Sequence, residues 1–87
     1  MLSETAITFV SVATILCADG SELVAFGDNY PSFEQCIIQA EHDVKVMARE
    51  IEGIESTLPH RVITGVRIEC EPMGNTFHPG GSVTYER

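Results

Sequence analysis

Lysine and arginine are missing from the first forty-four residues. That stretch carries Glu4, Asp19, Glu22, Asp28, Glu34, Glu41 and Asp43 with nothing to balance them. The five basic residues (Lys45, Arg49, Arg61, Arg67 and Arg87) all lie in the second half, and the formal net charge is −8. The shortage argues against nucleic acid, because affinity for a phosphate backbone comes from basic side chains that release counterions. It also disfavours docking on an anionic membrane. An acidic, polarised chain fits a protein partner instead, one with a basic surface if charge decides.

Paired cysteine motifs are absent too. Cys17, Cys36 and Cys70 are odd in number and form no CxxC, so neither a disulfide framework nor a zinc knuckle is suggested. The expectation is reduced, buried thiols in a cytoplasmic protein; one disulfide with a spare thiol is the alternative for an exported chain. His42, His60 and His78 are scattered, so no metal site is expected. Ser32 and Ser82 follow no nucleophile signature. The glycines near Gly74 and Gly80 lack the lysine and the helix start of a phosphate cradle. Glu50, Glu52 and Glu55 read as a solvated face rather than an acid–base pair. Neither catalysis nor a cofactor is expected from this inventory.

There is no long apolar run. Ala6 to Leu16 is interrupted by Thr8, Ser11 and Thr14, and its flank holds an acid and no base. It is too short to span a bilayer and unlike a signal peptide. Its β-branched residues make it a strand, expected over Ala6 to Ala18.

What is present is architectural. An apolar fraction of 44% over 87 residues suits one small domain, residues 1–87, with its core in 5–72 and an extension over 73–87. Asp19-Gly20 predicts a two-residue hairpin turn into a second strand over Ser21 to Phe26. That register opposes Leu16 to Leu23 and Ile15 to Val24. It sets Ile7, Phe9, Ala13, Ile15, Val24 and Phe26 on one face, and Val10, Val12, Leu16 and Leu23 on the other. Gly27-Asp28-Asn29 should break the strand, and Pro31 should prevent its resumption.

Ser32 with Gln35 predicts a helix start, and Gly53 predicts its end. Between them Phe33, Cys36, Ile37, Ala40, Val44, Met47 and Ile51 form one apolar stripe. Arg61 to Glu71 alternates as a third strand, with Val62, Thr64, Val66, Ile68 and Cys70 inward. The fold class is therefore α+β: a three-stranded antiparallel sheet of order 2-1-3 with one long helix on one face, in ββαβ order. The tail adds a small hairpin, pairing Thr76-Phe77 with Ser82 to Tyr85. The second sheet face is left apolar. Either the tail covers it through Phe77, Val83 and Tyr85, or a partner or second copy does.

Three segments carry a resemblance: Phe9 to Phe26, Tyr30-Pro31-Ser32-Phe33-Glu34-Gln35-Cys36, and Val66-Arg67-Ile68-Glu69-Cys70. In pattern they resemble very small phage and prophage proteins of the kind of the podophage inhibitors of host RNA polymerase. The resemblance covers roughly residues 7 to 72. It implies a phage-encoded protein that binds and sterically inhibits a host protein, without catalysis. Arg67 takes the place of one arginine that the family's last strand offers to its target, whereas Gly65 stands at the neighbouring position. The candidate partner-binding residues are Val10, Val12, Leu16, Leu23, Glu22, Asp28, Glu34 and Arg67. The expected location is the cytoplasm of a host cell. The alternative is a structural virion component, with capsid or tail subunits on the second face.

Overall fold

The computed structural model describes residues 8–73 and 79–87. The chain runs β1 (Phe9–Cys17), β2 (Glu22–Tyr30), α1 (Phe33–Arg49), α2 (Ile51–Thr57), β3 (Ile63–Pro72) and β4 (Gly81–Glu86). All strand pairs are antiparallel, and the sheet order is β2-β1-β3-β4. The expected 2-1-3 arrangement thus makes up three strands of a four-stranded α+β sheet, with β4 added beside β3. The tail contributes a strand: Ser82 to Tyr85 pairs with Glu69 to Val66 of β3. The expected partner segment, Thr76-Phe77, lies outside the described residues, as do Ala6 and Ile7.

The hairpin register differs from expectation by one residue, and the loop is the cause. Cys17 N–H donates to Ser21 O at 3.0 Å, and Gly20 N–H donates to Cys17 O at 3.0 Å. The loop is therefore three residues long, with Gly20 at φ +88°, the left-handed position that glycine occupies without strain. Asp19 Oδ1 holds the turn by accepting from Ser21 N–H at 2.9 Å and Ser21 Oγ at 2.6 Å. One extra loop residue moves every β2 side chain to the other face. Ile15 faces Leu23, Ala13 faces Ala25, Thr14 faces Val24 and Val12 faces Phe26. Leu23 accordingly shares the helix-side face, and Val24 and Phe26 do not.

The second strand also continues through Gly27-Asp28-Asn29. The register shift between Val10 and Val12 absorbs one extra residue as a bulge, Gly27 and Asp28 opposing Ser11. A Cβ at Gly27 would displace the Ser11 hydroxyl, which bonds Asp28 O.

Ser32 caps α1: its side chain accepts from Gln35 N–H at 3.2 Å, and Glu34 sits in the positively polarised first turn. The stripe buries Cys36, Ala40 and Val44 against Phe9, Ile68 and Cys70. Phe33 meets Phe9 edge-on, with ring centroids 5.6 Å apart. The helix does not end at Gly53. It breaks at Glu50, and Gly53 lies inside α2. Ile51 there joins Ile63 and Val66 in a second cluster. The left-handed position that precedes β3 falls to His60, at φ 66°.

A second bulge resets β3. Cys17 pairs with Ile63 but Leu16 pairs with Gly65, so Thr64 is the extra residue. Ile63 is buried where Val62 was expected, while Val62 and Thr64 are exposed. Beyond the bulge Val66, Ile68 and Cys70 point inward as expected.

Two of the three cysteines are joined. Cys36 on α1 and Cys70 on β3 form a disulfide across 34 residues, with Cα atoms 6.1 Å apart. Cys17 is the buried spare thiol. The fully reduced reading is thereby replaced by its alternative. The stripe brings Cys36 against the strand that carries Cys70, a proximity invisible in their linear spacing. Among the described residues no helix is long and apolar enough to cross a membrane.

Candidate functional site

The helix layer is offset. It lies over β3 and β4, touching β1 and β2 far less. Val83 packs into the helix-side core, and Tyr85, opposite the buried Val66, shares that face. Neither crosses to the second face, and Phe77 lies outside the described residues.

The registers then define what the second face carries. Val10, Val12, Thr14 and Leu16 of β1 are flanked by Asn29, Phe26, Val24 and Glu22 of β2. On the other side stand Glu71, Glu69, Arg67 and Gly65 of β3. Val12 and Leu16 are half-buried among these neighbours, and Thr14 at the centre is 2% exposed. The β2 side is open: Val24 is 55% exposed and Phe26 79%. An apolar surface thus runs from β1 onto β2, with a charged row beside it on β3.

Arg67 is held within that row. Its Nε donates to Glu69 Oε1 at 3.0 Å, and its Nη2 lies 4.0 Å from Glu22 Oε1. The carboxyl of the exposed Glu71 is held above its ordinary range by its hydrogen bond with Glu69, then by slight desolvation and the Glu69 charge. The two acids resist joint ionisation, which moderates the negative charge that Glu69 and Glu71 give this edge of the face.

Of the eight candidate residues, Val10, Val12, Leu16, Glu22 and Arg67 are brought together on this face. Leu23 lies on the opposite face by the register correction. Asp28 is exposed at the bulge, and Glu34 belongs to the helix layer. The sequence reading missed Val24 and Phe26. The signal that could have found them was Ser21, whose N–H and Oγ both donate to Asp19 Oδ1 and fasten the Ala18-Asp19-Gly20 loop.

The carboxylates near the helix end separate into two roles. Glu55 Oε2 accepts from Ile63 N–H and from Arg87 Nη1, each at 2.7 Å, so it ties α2 to β3 and to the segment after β4. Those bonds, the Ile63 one foremost, hold its carboxyl below the ordinary 4.5. Glu50 and Glu52 line an open groove of about 540 Å³ with Arg49, Gly53, Ile54 and Thr57. All six come from the end of α1, the break at Glu50 and α2. Among the described residues no cluster of histidine, cysteine and carboxylate could hold a metal ion.

A depressed folded-state pKa adds stability above the unfolded value and loses it as pH falls through the folded one. Glu55→Gln should therefore be less stable than the native chain at pH 7. The two should converge as pH drops below about 4. Urea midpoints at both pH values check this; a gap independent of pH would mean the clamp does not depend on charge.

Comparison of the chain with protein-family models, curated proteins and solved structures finds no match in any of the three.

Proposed function

We propose that this protein is a small binding module that acts by occupying the surface of another protein. The observation that carries the reading is the open apolar face, above all Phe26 at 79% exposure beside Val24, Val12 and Leu16. An exposed phenylalanine in a contiguous apolar patch is costly in water and gains on being covered. The acidic row on β3 and the net charge favour a target with a basic rim. The phage-protein resemblance takes this one step finer, to steric inhibition of a host protein.

A second reading has its own support. The Cys36–Cys70 disulfide favours an oxidising setting, and virion surfaces are one where such bonds persist. A structural virion component would bury the same face against its neighbours.

Phe26→Asp tests both. It should leave the far-ultraviolet circular dichroism unchanged and weaken association a hundredfold or more, since an unpaired charge in a buried interface costs at least about 3 kcal/mol. One soluble protein retained by the native chain and lost with Phe26→Asp supports inhibition. Retention of assembled particles, lost in the same way, supports the virion role. Undiminished retention by Phe26→Asp sinks both.

A further inference from the structure

The edge of β2 carries a second kind of information. Among the described residues β2 pairs with β1 alone, and β1 lies between it and β3. The hydrogen-bonded Cys17–Ser21 pair sets the alternation of the ladder. Counting from it, Ile15–Leu23 and Ala13–Ala25 exchange hydrogen bonds. The N–H and C=O groups of Glu22, Val24 and Phe26 then point away from β1, outward. The middle of the strand is also bare on both faces: Val24 and Phe26 are exposed on one and Ala25 on the other, because the helix lies over β3 and β4, while Tyr30 at its end packs against the core.

Native edge strands are usually guarded by lysine, proline or short length. β2 is nine residues long and contains neither lysine nor proline, and its bulge at Gly27-Asp28 lies beyond the stretch Glu22 to Phe26. Its charges are acidic and terminal: Glu22 at one end and Asp28 near the other, with Leu23, Val24, Ala25 and Phe26 between.

We propose that β2 is a docking edge for an extended segment of another protein, added antiparallel to the sheet, with apolar residues at its centre and lysine or arginine at its ends. This rests on the binding-module reading and names the partner's chemistry. Main-chain hydrogen bonds to Val24 and Phe26 supply the affinity, and the acidic ends of β2 supply the selection. A second copy of the chain fits worse. The antiparallel register that sets Val24 against the copy's Phe26 also sets Glu22 against its Asp28. Like charges directly opposed destabilise a pair, and each copy brings a net charge of −8.

The test uses a synthetic peptide of alternating threonine and valine with lysines at both ends, matched in length to β2. A glutamate-ended peptide of the same length serves as its control. The lysine peptide should bind at least tenfold more tightly. It should slow hydrogen exchange at the Glu22, Val24 and Phe26 amides while leaving Leu23 and Ala25 as they were. Val24→Pro removes one outward N–H at an edge position that tolerates proline, and it should abolish binding of the folded chain. Equal binding of the two peptides overturns the proposal. So does binding without protection of those amides, or binding that survives Val24→Pro. Concentration-dependent protection without peptide assigns the edge to a second copy and overturns it likewise. Loss of a partner through Phe26→Asp while those amides stay unprotected would retain the binding module and remove the edge. Peptide protection alongside partner retention by Phe26→Asp would do the reverse.

Discussion

Cys36→Ala should lower the melting temperature by on the order of 15 °C or more. The link spans 34 residues, and closing a loop of that size removes about 4 kcal/mol of chain entropy from the unfolded state. A chain of this length has a total stability of roughly 4–13 kcal/mol, so the loss is a large share. Each kcal/mol moves the midpoint of so small a domain by about 4–8 °C. Reductant added to the native chain should produce a shift of the same sign, whereas the Cys36→Ala protein should ignore reductant. Cys17→Ala is the control, since it removes a buried thiol and no link. A native midpoint unmoved by reductant would mean that the two sulfurs are not joined in solution, and the reduced cytoplasmic reading would return.

Ile68→Ala should cost about 2–5 kcal/mol. Ile68 is 3% exposed on the central strand β3, between Ala13 and Val83, and shares a cluster with Cys36, Ala40 and Val44. The fixed backbones of β1 and β4 limit collapse around the vacated space. Phe26→Ala should change stability by no more than about 0.5 kcal/mol, because most of that ring already meets water. Urea midpoints at constant slope measure both. The contrast decides which face is core: comparable losses would mean that Phe26 is covered in solution.

The sequence was most legible where one physical signal decided the outcome. The period of Cys36, Ala40 and Val44 located the helix, Ser32 located its start, and the alternation after Val66 located the inner face of β3. It was least legible where a single residue changes parity. Asp19-Gly20 reads equally as a two-residue turn or as part of a three-residue loop, and the difference exchanges Leu23 for Val24 and Phe26. Thr64 does the same in β3, because a bulge is a choice between pairings that no local propensity records. The Cys36–Cys70 link depends on how the helix sits over the sheet, so their spacing alone did not reveal it. The candidate face was half visible: the β1 residues were assigned to it, but its most exposed member was placed in the core.

The offset helix has a consequence for how the molecule comes apart. On one side α1 and β3 are bonded covalently, and β3 has strands on both flanks. On the other side, among the described residues, β2 is held by one ladder, a tight turn and the packing of Tyr30 at its end. Opening free energies should therefore form a gradient across the sheet, from near-global values in β3 to small ones in β2. The surface offered to a partner is the least costly part of the fold to rearrange, so an incoming segment can adjust it while the covalently fastened half holds its shape.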